Sequence, residues 1–390
     1  MKKKILTYLL CAVLSLSLLS GCGVQEERVE TIETEESTTQ EQNSGSEETE
    51  LTIEDISSVE LVADMRIGWN LGNTLDATGG IGIDSERSWG NPVTTPEMID
   101  AVVDAGFNVV RIPVTWEGHF GEAPEYKIHN IWLERVKEVV DYAYERDVYV
   151  ILNMHHEEWH FPSEENKEAA SKQLAALWTQ IAEYFKDYDE RLIFEGLNEP
   201  RKKGTAVEWN GGDEEGREVV NHFAQVFVDT VRVTGGNNAK RHLMITGYAA
   251  SSSKEALESI RLPEDDKLIV SVHAYTPYNF ALNPDGTDQW DAEKDTKDID
   301  DLMENLDELF LKKGIPVIIG EFGAVNKQND AERVEWATYY VTKANEYGVP
   351  CIWWDNNAFD GAGENFGLLD RRALTFPNAE LLQALVENAE

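Results

Sequence analysis

Three cysteines in a chain of 390 residues leave little room for disulfide chemistry. Cys11 falls in an apolar leader, Cys22 directly after it, and Cys351 stands alone far downstream. A fold stapled by internal bridges is excluded, so stability has to come from a large core. Positive charge is scarce as well. The chain has 34 Lys and Arg against 73 Asp and Glu, a formal net charge of −39. Such a surface repels phosphate backbones, so nucleic acid is excluded as a partner and an uncharged substrate fits better than an acidic polymer. No GxGxxG turn and no GxxxxGKS or GxxxxGKT turn follows an apolar run, so a nucleotide-binding open sheet is not indicated. No cofactor is implied.

What is there begins with a leader. Lys2, Lys3 and Lys4 precede the apolar run Ile5 to Leu19, and LSGC follows at Leu19 to Cys22. This order reads as an export signal, and the run is too short for a comfortable membrane span. LSGC resembles the bacterial lipobox, whose cysteine is lipidated and becomes the new N-terminus. A plain signal peptide with an accidental cysteine is the simpler alternative. The expectation is a lipoprotein signal over 1–22, lipid on Cys22, and an extracellular protein held at a bacterial cell surface. Its only tie to membrane would be that anchor. Residues 23–52 are rich in Glu, Thr, Ser and Gln and carry a charge of −9. They cannot bury a core and read as a disordered acidic linker. The three leader lysines give +3, which leaves −33 on 53–390.

Residues 53–390 alternate between β-rich runs and helical spacing. The runs are 66–73, 107–116, 148–157, 191–200, 241–248, 267–275, 315–324 and 350–356. Several are continuously apolar, as strands covered on both faces should be. Helical spacing lies between them at 96–105, 132–145, 169–186, 215–234, 299–312 and 331–346. Eight β-then-α units predict a single (β/α)8 TIM barrel, an α/β fold, with long loops accounting for length beyond the typical ~250 residues. A monomer is the default.

Chemistry in such a barrel sits at the C-terminal ends of the strands. Those ends carry Asn73, Arg111, His155, His156, Asn198, Glu199, His273, Tyr275, Glu321 and Trp354. Polar groups on apolar strands are costly unless they have partners or a task. Glu199, in LIFEGLNEP, and Glu321, in PVIIGEFGA, are expected at the tips of the fourth and seventh strands, with Pro200 ending one ladder. Gly320 and Gly323 let the backbone around Glu321 approach its neighbours closely. Two carboxylates facing one cleft are the standard equipment for glycoside hydrolysis. Glu195 and Asp355 read as structural. Trp354 offers a flat face to a pyranose, and Trp89 and Trp159 lie in loops on the same side. Trp69, Trp116 and Trp353 could be core or platform. No metal is expected at His155 and His156, because adjacent strand residues point to opposite faces and no HExxH is read in the chain.

The ordered motifs GWNLGNTLDA, WGNP, VVRIPVTW, LNMHHE, GLNEP, VHAYTPYNF, GEFG and WWDN resemble glycoside hydrolase family 5, most closely its subfamily 4 of endoglucanases and xyloglucanases. The likeness runs from Leu61 to Pro377. SERSWGNP, at 85–92, lacks the cysteine that often precedes this tryptophan. The resemblance implies Glu199 as acid/base and Glu321 as nucleophile of a retaining reaction. Arg111 and Tyr275 would keep Glu321 ionised, Asn198 would bond the sugar 2-OH, and His155 and His273 would orient groups. Asn73, His156, Trp354, Trp159 and Trp89 would bind substrate. The implied substrate is plant cell-wall β-glucan: cellulose, mixed-linkage glucan or xyloglucan. The alternatives are the same chemistry on mannan or xylan, and a non-catalytic polysaccharide-binding lipoprotein.

Overall fold

Strict alternation along eight short strands builds the molecule. The computed structural model describes residues 53–390. The signal, Cys22 and the acidic linker lie outside the described residues. The strands are β1 Ile67–Leu71, β2 Val109–Ile112, β3 Tyr149–Asn153, β4 Leu192–Glu195, β5 Leu243–Ser251, β6 Leu268–His273, β7 Val317–Phe322 and β8 Cys351–Asp355. Each pairs in parallel with its sequence neighbours, and β1 pairs with β8, closing the barrel in order.

Inward and outward residues do different work. One inward layer is apolar: Val109, Ile151, Ile193, Met244, Ile269, Ile318 and Ile352. Leu61, Val62 and Met65, from and just after the helix Ser58–Ala63, plug it at the strands' N-terminal end. That helix starts with a capping box, in which Ser57 and Glu60 satisfy each other's backbone N–H. Two residues further along β2 to β6, the inward side chain becomes polar: Arg111, Asn153, Glu195, Thr246 and Ser271. The outward residues pack under the helices. Trp178 meets Phe194 and Phe227, and Trp336 meets Phe322, Tyr340 and Trp353. Burying such large side chains stabilises by about 1.5–3 kcal/mol each.

The predicted helices are present, and caps move some of their ends. The helix after the third strand starts at Glu164, not 169, because the Ser163 hydroxyl accepts from the Asn166 N–H. Asp213 caps Glu214–Val233 in the same way. Short helices at Lys254–Glu258 and Tyr278–Ala281 and the terminal helix Ala379–Glu387 were not legible as helices. Trp69, Trp116 and Trp353 belong to the core. Their indole N–H groups donate to Asp355 Oδ2, Asn153 O and Phe366 O at 2.7, 3.0 and 3.0 Å.

Candidate active site

The polar layer rises into the site through Arg111, which is sealed from solvent. Its Nε donates to Glu195 at 2.8 Å, Nη1 to Asn70 Oδ1 at 2.9 Å and Glu321 Oε1 at 2.8 Å, and Nη2 to Asn198 Oδ1 at 2.7 Å. Glu195 also accepts from Asn153 and Ser271 at 3.1 and 2.7 Å, so its structural reading holds. Asp355 likewise serves the fold, accepting from Trp69 and from the Leu369 N–H.

Glu321 lies near the end of β7 with each oxygen engaged. Oε1 takes Arg111, and Oε2 takes the Tyr275 hydroxyl at 3.0 Å. Burial pushes this carboxyl up, and the charges of His273 and Arg111 oppose that. Glycine leaves room at 320: a Cβ there would stand 2.8 Å from Ser271 Oγ and 3.4 Å from His273 Nε2, so a neighbour would have to shift.

Glu199 does not end a strand. The β4 ladder stops at Glu195, and Glu199 follows on an irregular turn, so Pro200 is not what ends the pairing. Its Oε1 lies 2.9 Å from His273 Nδ1, which is 3.5 Å from Glu321 Oε2. Oxygens of Glu199 and Glu321 come within 4.8 Å of each other, so the carboxylates are close neighbours. Burial pushes Glu199 up, but the His273 hydrogen bond and the charges of His273 and Arg201 outweigh it. That depression depends on a charged His273. Burial opposes the charge, and the two carboxylates favour it. With a neutral imidazole the His273 charge is gone, and burial, which raises Glu199, is opposed by the Arg201 charge and the remaining hydrogen bond.

Asn198 has its amide oriented by Arg111. A guanidinium only donates, so Oδ1 faces it and the NH₂ points away. His155 Nδ1 pairs with Asn153 Nδ2 at 3.1 Å, which leaves the proton on Nε2. Burial holds His155 far below its usual range, and thus neutral. Its ring lies parallel to Trp354, centroids 5.6 Å apart. Trp354 is 7% exposed, so it offers only a small part of its surface. Trp89 is 44% exposed and lies 5.4 Å from the His156 ring. Trp159 is half-buried, and its N–H donates to Glu157 Oε2 at 2.6 Å. Asn73 adopts a left-handed backbone, φ 57°, where its N–H donates to Asp76 and its carbonyl accepts from Asn91.

One expectation fails on geometry. His155 and His156 do not point to opposite faces, because β3 ends at Asn153 and alternation stops there. Together with Asp76 they bring one ligand atom each within 4.8 Å, a set able to hold a cation. Asp76, pushed up by burial to about 7, already accepts from the Asn73 and Thr74 N–H groups. The expectation that no HExxH occurs is also wrong: residues 156–160, HEEWH, spell that helical zinc pattern. Here they form a loop, and both His160 ring nitrogens are buried without a partner among the described residues.

Residues that sequence reasoning missed frame the same cleft. Arg201 faces Glu199 Oε2 at 3.4 Å and stacks on Trp209, and Glu364 feels the charge of both glutamates. Arg201 directly follows NEP, which was the available signal.

Residues 73–360 match the family model described as cellulase, glycosyl hydrolase family 5. The chain belongs to glycosyl hydrolase family 5. The family 5 sequence is 52% identical over 344 residues to endoglucanase A of Ruminococcus albus, covering 87% of this chain and 94% of that one. Endoglucanase 1 of the same organism is 47% identical, covering 100% and 98%. A solved subfamily 4 broad-specificity endoglucanase from Ruminococcus champanellensis, with bound cellotriose, superposes with a TM-score of 0.84. It is 50% identical and covers 86% of this chain and 99% of its own. A xyloglucan-specific endo-β-1,4-glucanase from a metagenomic library gives 0.82 at 46% identity, covering 84% and 98%.

Proposed function

We propose that this family 5 protein is a retaining endo-β-1,4-glucanase that cuts inside cellulose, mixed-linkage β-glucan or xyloglucan. The observation that carries the reading is the pairing of an anchored Glu321 with a Glu199 oxygen within 4.8 Å. Retaining enzymes hold their carboxyl groups ~5–5.5 Å apart, whereas inverting ones leave room for water.

Glu321 attacks the anomeric carbon as the bond to the leaving sugar oxygen breaks, and Glu199 gives that oxygen its proton. The covalent ester removes the negative charge of Glu321. With that charge gone, the proton affinity of Glu199 falls and it takes a proton from water. The hydroxide equivalent attacks the same carbon, Glu321 leaves as carboxylate, and Glu199 is protonated again. The Asn198 amide is placed to bond the sugar 2-OH, an interaction that strengthens in the transition state. His155, through Nε2–H, and His156 supply hydroxyl partners, and Trp89, Trp159 and Trp354 supply ring faces. The relatives' described activities support a β-glucan backbone over mannan or xylan. The intact carboxylate pair leaves a purely binding role without support.

The proposal includes anchoring at the cell surface through lipid on Cys22, and activity as a monomer. LSGC supports the first, and Cys22→Ala would then release active enzyme to the medium. The catalytic reading is tested on carboxymethyl cellulose, barley β-glucan, xyloglucan, glucomannan, mannan and xylan, counting new reducing ends for wild type and Glu321→Gln. Glucan cleavage lost in the variant is the expected result. Full activity of Glu321→Gln on any β-glucan would overturn it.

A further inference from the structure

The two oxygens of Glu199 keep different company. Oε1 meets His273 Nδ1 at 2.9 Å. That ring's Nε2 is buried with no partner among the described residues. A proton on Nε2 would be a stranded donor, so the tautomer protonated on Nδ1 is favoured, and it donates to Oε1. Oε2 is therefore the oxygen left to carry a transferable proton. It faces Nη1 of Arg201 at 3.4 Å, and the same nitrogen donates to the Glu199 carbonyl at 3.0 Å.

The guanidinium is held from two further sides. Its Nε donates to Glu208 Oε1 at 3.2 Å, and its Cζ lies 4.2 Å from the Trp209 ring centre. Glu208 in turn accepts from the Gly204 N–H at 2.7 Å, so the loop closes on itself. Trp209 gives one face to the arginine and is still 60% exposed. An indole that lies flat, half covered by a cation and otherwise open, can take a sugar ring.

We propose that Arg201 is a positioning residue for Glu199: clamped between Trp209 and Glu208, it aims Oε2 at the leaving oxygen and sets how readily that oxygen gives up its proton. This rests on the acid/base reading of Glu199. At 3.4 Å the pair is longer than the ~2.7–2.9 Å of a tight charge-assisted bond, so a proton on Oε2 is tolerated. A permanent cation at that distance still favours the ionised form.

Other elements also face Glu199. His156 follows β3, His273 ends β6, Tyr275 lies just beyond it, Glu321 sits on β7, and Glu364 lies in the loop after β8. Arg111 on β2 reaches the pair through Glu321 and is matched by Glu195. The histidines lose their charge as pH rises, and Glu321 and Glu364 oppose ionisation of Glu199. Arg201 is the guanidinium that touches Glu199 itself.

The test is the pH profile of kcat/KM for Arg201→Gln, Arg201→Lys and Trp209→Ala, on barley β-glucan and on cellobiosides with poor and good leaving groups. Arg201→Gln should move the alkaline limb up by about one pH unit. It should slow substrates with poor leaving groups about tenfold or more, and spare 2,4-dinitrophenyl cellobioside, which needs no proton. Arg201→Lys keeps the charge and should leave the limb near wild type. Trp209→Ala, which unbacks the guanidinium, should fall between. A uniform loss at every pH and with every leaving group would overturn the proposal, as would an unmoved limb. If Arg201→Gln does not fold, Arg201→Lys and Trp209→Ala decide by the same limb. Failure of the underlying reading shows separately: azide should accelerate Glu199→Ala on dinitrophenyl cellobioside, and no rescue would refute Glu199 as acid/base whatever Arg201 does.

Discussion

Arg111 donates to Glu321 at 2.8 Å from inside the barrel, with the guanidinium sealed and the carboxylate nearly so. The cation therefore cannot be replaced by water. Arg111→Met removes it and leaves Glu195 and Glu321 buried without their partner. Breaking such a pair costs about 3–5 kcal/mol, which urea unfolding should show as a lower midpoint. Hydrolysis of β-glucan should fall by about 10²-fold or more, measured by reducing ends.

Tyr275→Phe removes one donor from Glu321 Oε2 and keeps the ring. A donor to the charged form lowers a carboxyl's pKa, so its loss raises that of Glu321. The nucleophile must be ionised, so the acid limb of kcat/KM should move up. A bond to a charged group contributes about 1.5–3 kcal/mol, which corresponds to a limb shift of about one unit or more. A full pH–rate profile checks it.

Gly320→Ala places a methyl 2.8 Å from Ser271 Oγ and against the His273 ring. His273 bridges both glutamates, so the change should act on catalysis through that ring. We expect kcat to fall about tenfold or more, with KM for cellotetraose nearly unchanged. Steady-state kinetics on the soluble oligosaccharide would separate the two.

Glu157 anchors Trp159, and its carboxyl is pushed by burial from 4.5 up to about 7. The folded state therefore binds more protons than the unfolded chain between those values. Its contribution is fully present below about 4.5 and is lost as pH rises through 7. Glu157→Gln cannot titrate. The stability difference should move in the variant's favour by about 3 kcal/mol between pH 4.5 and 7, then level off. Denaturant unfolding at a series of pH values reads this directly.

The barrel was legible because eight apolar strand runs are separated by stretches of helical spacing, and because most strand ends carry a polar group that an apolar strand would not otherwise keep. Arg111, Asn198, His273, Tyr275 and Glu321 were legible as a group for that reason. Strand alternation failed beyond the last ladder bond. It misplaced Glu199 at a tip, and it sent His156 away from His155 when both rings meet Asp76. Arg201 and Trp209 were hidden because a long loop has no periodicity, and tertiary bonds such as those of Glu208 and Lys202 set its shape. The core identity of Trp69, Trp116 and Trp353 was equally hidden, since an indole on a strand looks the same whichever side it faces.

Arg111 sits on β2, yet its acceptors come from β1, from β4 and the turn after it, and from β7. Strands far apart in the chain must all be in place before that one side chain is satisfied. The charge state of the nucleophile thus reports ring closure. A partly assembled chain, lacking its first or its seventh strand, would be silent toward glucan, not merely slow. In a refolding experiment, recovery of hydrolysis should track the last closing step and lag behind the return of helical signal.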